Sequence, residues 1–474
     1  MHMPCIIVIT LLICCLLFCH CQKTPKVLLI SFDGFRWNYL NRIDTPNFDK
    51  LIKSGVKAKW LQDVFVSQTF PNHYTLATGL YEENHGIVAN KFYDPKLNEF
   101  FSYHVKEDVT SSKFWGGEPI WVTNQIQGRT SGVFFWVGSE APIKGIFPTV
   151  YKNYNKTFPW KQRVDTVVEW LANKPVGQSN QLLNITLALL YFAQPDIDGH
   201  KYGPESPEVT EMIGQCDSIT GYLLDKLSED NLYEDVNIII TSDHGMASLD
   251  KKRTVALLPY INITKVDHII NYYTGAAIWP KKGYLDSVYE DLLKIGPYAS
   301  VWKREDIPAH FHYNNNNRIP PVLVAVKDKW LLLNNTSDEL PMKGDHGYSN
   351  SLMDMHPFFI AHGPAFKEGL VSEPFSSVNV YELICHILGL NPAPNNGSIE
   401  RVKHLLRHQP SSYPITRQTA KLICISIGLS MAIFVIAFIT RHFHHGKNKS
   451  HEYFVQSGEE RHDEALLSYQ QSEE

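Results

Sequence analysis

The sequence predicts an α/β fold with a mostly parallel central sheet, and three observations carry that reading. Lys26-Val-Leu-Leu-Ile-Ser-Phe32 is a nearly unbroken apolar, β-branched and aromatic run that ends at Asp33-Gly34, as a strand buried on both faces should. The pattern recurs at residues 186–192, which lead into Gln194-Pro-Asp196-Ile-Asp-Gly-His200, and at residues 236–242, which lead into Asp243-His244-Gly245. Helical patterns alternate with these runs from Lys23 to about Gly245, the rhythm of parallel strands joined by crossover helices.

Taken in order, residues 46–55 read as a helix that opens on Pro46 and stops at Gly55. Residues 63–67 suggest a short strand. Thr69-Phe70-Pro71-Asn72-His73-Tyr74 reads as a helix start with Thr69 as its cap, because proline is tolerated where the first N–H groups lack partners. Residues 159–173 place Val164, Val167, Val168 and Leu171 on one helical face, and residues 208–230 place Met212, Ile219, Leu223 and Leu227 on another. The rhythm breaks over 250–345, where short strands at 275–279 and 322–326 flank a helix at 285–295. That stretch reads as an α+β insert, returning to the sheet at Gly344-Asp345-His346-Gly347. A helix at 378–388 closes the domain.

The chain has 474 residues, 44% hydrophobic and 20% charged, with a net charge of -5. This is globular composition, and no basic stripe marks a nucleic-acid surface. Residues 1–21 carry an apolar run at 6–18 that suits a signal-peptide core and is short for a membrane span. Residues 422–440 are apolar or weakly polar throughout, long enough for a transmembrane helix. Arg441, Lys447 and Lys449 follow directly, which puts the tail, 441–474, in the cytoplasm and the main domain, 22–395, outside. Residues 396–421 would be a stalk. Only Cys216 and Cys385 lie outside the signal and membrane segments, open to one bridge or to two buried thiols. Sequons at Asn155, Asn184, Asn262, Asn334, Asn335 and Asn396 fit an outward-facing surface.

Three strands that deliver acids to one sheet edge create an electrostatic problem. Asp33, Asp196 and Asp243 cannot all ionise in one crevice without cations. His200, His244 and His346 add imidazole, and imidazole with carboxylate is zinc chemistry; two such sets suggest two metal ions. Each residue alone has an ordinary structural reading, as a cap, a turn or a core histidine, and the convergence is what favours metal. The nucleophile, on these grounds, stays open among several hydroxyls.

Beyond this, Ser31-Phe-Asp-Gly-Phe-Arg36, Thr69-Phe-Pro-Asn-His-Tyr74, His85-Gly-Ile-Val-Ala-Asn90, Pro195-Asp-Ile-Asp-Gly-His200, Ser242-Asp-His-Gly-Met246 and Gly344-Asp-His-Gly347 resemble the motif series of the ectonucleotide pyrophosphatase/phosphodiesterase family. The order and one-pass layout are similar to its short members four and five. The resemblance implies an alkaline-phosphatase-like three-layer sandwich and two Zn2+ per catalytic domain. One ion would sit on Asp196, His200 and His346, the other on Asp33, Asp243, His244 and the Thr69 oxygen. It also implies Thr69 as nucleophile through a nucleotidyl-threonine, Asn90 as a donor to the phosphoryl group, and Phe70 with Tyr154 as the aromatic pair holding a base. The expected substrate is then an extracellular nucleotide or dinucleotide, cleaved to a 5′-monophosphate.

Two departures bear on the pocket: Ala193-Gln194 stands where the family has Glu-Glu, and Trp136-Val-Gly138 where nucleotide members have Trp-Pro-Gly. A choline-phosphodiester hydrolase, as in members six and seven, is the second enzymatic reading, although no aromatic cage is visible for it. A catalytically silent adhesion or receptor ectodomain is the third, and phosphate monoester hydrolysis a fourth.

Overall fold

The computed structural model describes residues 24–175, 182–335 and 342–407, with parts of 425–441. The chain divides into two units, 1–408 and 409–474. At the centre of the first lies an eight-stranded sheet of β1 (Lys26–Phe32), β2 (Val56–Ala58), β3 (Ser131–Phe134), β4 (Val150–Lys152), β5 (Leu187–Phe192), β6 (Val236–Thr241), β7 (Phe359–His362) and β8 (Leu370–Ser372). Their spatial order is β8-β2-β7-β6-β1-β5-β3-β4. Only β7 runs against the others, so the expected mostly parallel α/β sheet is what forms.

The helices that cover the sheet are α1 (Pro46–Lys53), α2 (Thr69–Thr78), α3 (Ile120–Ile126), α4 (Trp160–Leu171), α5 (Asp196–Tyr202), α6 (Pro207–Glu229) and α7 (Asn379–Leu388). Alternation along β1 shows why both faces need cover. Val27 and Leu29 enter the apolar cluster with α2, α3 and α7, whereas Leu28, Ile30 and Phe32 enter the one with α1, α4 and α6. Successive strand side chains point to opposite faces, and an all-apolar strand is stable only between two helical layers. The result is the three-layer sandwich. Cys216 and Cys385 lie in opposite layers as separate buried thiols.

Residues 247–345 leave the sheet and return through a two-residue antiparallel pair, Ala247 with Asp345 and Ser248 with Gly344. Between these points the strands Val266–Asn271, Gly275–Pro280, Val322–Val326 and Ala299–Lys303 form a separate antiparallel sheet in that spatial order. The helix Leu285–Leu293 packs on it through Val288 and Leu292. The insert's mouth therefore lies three residues past His244 and one before His346.

Three expectations need correcting. Residues 63–67 are not a strand; the strand is Leu61–Gln62, paired with Phe375–Ser376. Much of the backbone of 64–68 is instead held by one side chain, because Asn72 accepts from the Val64 N–H and donates to the carbonyls of Val64, Val66 and Gln68. The cap of α2 is Gln68, with Thr69 the first residue inside the helix. The folded domain also continues past 395: Val402 and Leu405 are fully buried, and the Arg407 N–H donates to the Ala365 carbonyl. Apolar burial holds residues that composition alone assigns to a stalk.

The signal segment lies outside the described residues. Within 422–440, residues 425, 428–430, 432–433 and 435–440 are helical, and among the described residues no helix is long and apolar enough to cross a membrane.

Candidate metal and nucleophile site

Parallel pairing of β1 with both β5 and β6 sends the carboxyl ends of three strands to one edge, where open α/β sheets hold ligands. Asp33 follows β1, Asp243 follows β6 by two residues, and Asp196 opens α5 just beyond β5. His200 comes one helical turn after Asp196, on the same face of α5. Its Nε2 lies 3.4 Å from Asp196 Oδ1, and His346 Nε2 reaches the same oxygen at 3.5 Å. On the other side, His244 Nε2 lies 3.0 Å from Asp243 Oδ2, 3.5 Å from Asp33 Oδ1 and 3.3 Å from Thr69 Oγ1. The His244 and His346 rings stack at 3.5 Å between centroids, so the two halves are contiguous.

These atoms fit divalent cations. Asp33 Oδ1, Asp196 Oδ1 and Asp243 Oδ2 are all buried with no well-aligned hydrogen bond and only imidazole nitrogens facing them, an unfavourable state for a carboxylate that a bound cation would relieve. Each of the three imidazoles has Nδ1 on a backbone carbonyl: Gly344 for His200 at 2.9 Å, Gly245 for His244 at 2.8 Å, and Ser67 for His346 at 2.8 Å. A carbonyl only accepts, so Nδ1 donates there and Nε2 is the nitrogen that faces the crevice, where loss of its proton would free a lone pair for a metal, the usual arrangement of a metal-bound histidine. Asp196, His200 and His346 form one group whose ligand atoms lie within 4.8 Å of one another; Asp33 forms further groups with Asp196 and His244, and with His73 and Asp243.

The charges agree. Burial, then Asp243 and Asp196, push the Asp33 carboxyl well above the ordinary carboxylate range. Burial raises Asp196 to about 7. Asp243 is held low despite its burial because His244 and His73 face it, and the same carboxylate overcomes the burial of His244 and lifts it to about 10. Without metal, a proton on His244 offsets part of this negative charge, and a cation at that point would replace it.

Thr69 stands in the first turn of α2, partly buried, with its oxygen directed at His244. Asn90 Oδ1 accepts from the Phe70 N–H at 2.8 Å, which leaves the Asn90 Nδ2 as donor. Gln68, Asn90, His200 and His346 line a pocket of about 360 Å³ together with Lys91, Tyr103 and residues 271–273 of the insert. Phe70 packs near Tyr103 and Trp115. Tyr154 is 49% exposed and lies 6.2 Å from the Tyr191 ring. The candidate metal ligands, Thr69 and Asn90 thus lie together, Phe70 is tied to them by its N–H on Asn90 and Tyr154 lies beside Tyr191, whose hydroxyl bonds Asp33, although no ring contact joins Phe70 to Tyr154.

Two residues escaped sequence reasoning. The Tyr191 hydroxyl donates to Asp33 Oδ2 at 2.6 Å, yet within an apolar strand it reads as core. Fully buried His73 donates from Nδ1 to the Thr69 carbonyl and lies 3.2 Å from Asp243 Oδ2. Its spacing of four from Thr69 on a helix was the available signal. The departures also find places: Gln194 Oε1 accepts from the Asp198 N–H in the first turn of α5, and Trp136 donates to the His73 carbonyl beneath α2.

Residues 27–349 match the family described as type I phosphodiesterase / nucleotide pyrophosphatase. Over 402 residues the chain is 43% identical to human ectonucleotide pyrophosphatase/phosphodiesterase family member 5, across 84% of this chain and 81% of that one. The mouse bis(5′-adenosyl)-triphosphatase enpp4 is 42% identical over 395 residues, 82% of this chain and 83% of its own. Among solved structures, murine ENPP5 as an inactive threonine-to-alanine variant in complex with AMP is similar at a TM-score of 0.76 and 42% identity, covering 81% of this chain and 100% of that one.

Proposed function

This chain belongs to the type I phosphodiesterase / nucleotide pyrophosphatase family, and we propose that it hydrolyses extracellular nucleotides or dinucleotides to 5′-monophosphates at two zinc ions, with Thr69 as nucleophile. One observation carries this reading: three buried carboxylate oxygens without a well-aligned hydrogen bond and three Nε2 atoms that face the crevice converge beside the Thr69 hydroxyl. Two zinc ions, when bound, would lower the pKa of that hydroxyl and of a water, and would neutralise charge on the phosphoryl group. Thr69 Oγ then forms the bond to phosphorus as the bond to the leaving oxygen breaks, giving a nucleotidyl-threonine that water hydrolyses. Its place in the first turn of α2 suits an anion, because the helix dipole favours negative charge there. Asn90 Nδ2 donates to a non-bridging phosphoryl oxygen where charge develops.

Phe70 and Tyr154 would hold the base of the retained nucleotide. The pocket beyond His200 and His346, with Lys91 and three tyrosines, offers room for the leaving portion. The test is Thr69→Ala, assayed on a nitrophenyl nucleoside monophosphate ester and on glycerophosphocholine. Loss of the nucleotide activity with secretion and folding unchanged is expected; a variant that still cleaves the ester would remove Thr69 as nucleophile. Preference of the unaltered chain for glycerophosphocholine would favour the choline reading instead.

We also propose display at the cell surface, by a signal peptide at 1–21 and a single span at 422–440, with the catalytic domain outside. Apolar character supports the span, and the six sequon asparagines are all exposed. A chain ending before Leu422 should be secreted in active form, while the full chain should sediment with membranes.

A further inference from the structure

The segment that leads into the nucleophile is more tightly built than a connecting loop requires. Asp63 accepts from the Ser67 hydroxyl, and its main-chain carbonyl accepts from Asn350 Nδ2 at 2.8 Å. From within α2, Asn72 accepts from the Val64 N–H and donates to the Val66 and Gln68 carbonyls. From this fixed platform two consecutive residues reach into the site. The Ser67 carbonyl accepts from His346 Nδ1. Gln68, only 5% exposed, caps α2 with its backbone, and its side-chain Oε1 accepts from the Asn90 N–H at 2.8 Å.

Asn90 needs this help. It follows the short helix Glu82–His85 by several residues and precedes the hairpin strand Lys91–Asp94, so no regular element fixes it. Its side-chain amide is nearly symmetric in shape, and only its partners decide whether oxygen or nitrogen faces the phosphoryl group. The Phe70 N–H, a donor that the first turn of a helix leaves without an intrahelical partner, claims Oδ1. That bond forms only while the Asn90 backbone stays beside the start of α2, and the Gln68 side chain holds it there. Gly347, directly after His346, passes close to this side chain: a Cβ built there would lie 3.5 Å from Gln68 Cγ and 3.5 Å from Gln68 Nε2.

We infer that Gln68 is a positioning residue that holds the phosphoryl donor Asn90 in register with the nucleophile Thr69. This rests on the proposed roles of Thr69 and Asn90, and adds the residue that couples them. The backbone of Gln68 starts the helix that presents Thr69, and its side chain grips the loop that presents Asn90. One residue thus sets the distance between attack and charge stabilisation. Its loss should leave ground-state binding nearly intact, because the metal ligands and aromatic residues are untouched. The interaction weakened is the one that grows in the transition state.

The experiment is a double-mutant cycle on the full-length protein, reading kcat and KM for a nitrophenyl nucleoside monophosphate ester. Gln68→Met keeps the bulk and removes the acceptor; Gln68→Ala serves if the methionine variant does not fold. Asn90→Ala alone should lower kcat by roughly 10²–10³, as loss of one such donor does. Gln68→Met should lower kcat by about tenfold or more with KM within about twofold, since misplacement costs less than removal. In the Asn90→Ala background the Gln68 substitution should cost almost nothing further, because the amide it positions is gone. Additive losses would show that Gln68 acts by another route and would overturn the inference, as would an unchanged kcat in the Gln68 single variant. If Asn90→Ala itself leaves kcat unchanged, the reading of Asn90 as phosphoryl donor fails, and the inference falls with it.

Discussion

The Asp196 backbone N–H donates to the Asp33 carbonyl oxygen at 2.9 Å, so the residues expected on different metal ions are joined through the main chain. This bridge forms where β1 and β5 end side by side. It makes the spacing of the two half-sites a property of the sheet rather than of flexible side chains.

Gly34 is the residue that permits this approach. It adopts φ +67°, and a Cβ there would lie 2.8 Å from Asp196 Cβ and 2.9 Å from Asp196 Cα. Gly34→Ala should lower stability by about 2–4 kcal/mol through strain and overpacking together. Bound metal should fall in the same variant. Denaturant unfolding and metal content per chain measure the two effects, and an alanine variant with full metal content would show that the strands can part without harm.

Removal of metal should expose the charge conflict as a pH effect. The Asp196 and Asp345 carboxyls are raised by burial to about 7 and about 6. Between about pH 4 and 7 the folded metal-free chain therefore binds more protons than the unfolded chain, and its stability falls as pH rises through that window. His244, lifted to about 10 by Asp243, extends the fall above neutrality. Zinc binding requires deprotonated ligands and strengthens with pH. The gain in melting temperature on adding zinc to chelated protein should accordingly be larger at pH 8 than at pH 5.5.

Tyr154 and Phe70 should separate binding from stability. Stacking on one ring is worth roughly 1–3 kcal/mol per base, which corresponds to a rise in KM from about fivefold to over a hundredfold. Tyr154→Ala should show that rise with an unchanged melting temperature, since the side chain is half exposed. Phe70→Ala should show it with a loss of stability as well, because that ring packs against Phe101, Tyr103 and Trp115.

His85 predicts acid sensitivity unrelated to metal. Its Nδ1 accepts from the Ile87 N–H and its Nε2 pairs with Thr75 Oγ1, and burial with Arg318 nearby lowers its pKa to about 3. The unfolded chain binds the extra proton first, so this contribution to stability is complete above about pH 6.5 and is lost as pH falls towards 3. In His85→Asn, stability should fall less steeply between pH 6.5 and 4 in denaturant titrations.

Much of this molecule is written locally. An apolar run of strand length that ends in an acid announces its own burial and its own edge, so β1, β5 and β6, and with them Asp33, Asp196 and Asp243, could be read directly from the chain. His200 could be read as a ligand in the same motif as Asp196, but the helix that sets it one turn away, Asp196–Tyr202, is seen only in the fold. What local pattern cannot hold is which distant groups meet. The insert's return beside His244, the grip of Asn72 on residues 64–68, the Tyr191 bond to Asp33 and the Gln68 bond to Asn90 join parts of the chain through hydrogen bonds and packing. Such partners carry no periodic signal, and a polar group inside an apolar run looks the same whether or not it finds one. The sequence by itself thus determined the sheet, its acidic edge and the kind of chemistry it can support. Only the tertiary structure decided how the site's side chains are oriented, because that depends on which long-range donors and acceptors reach one another.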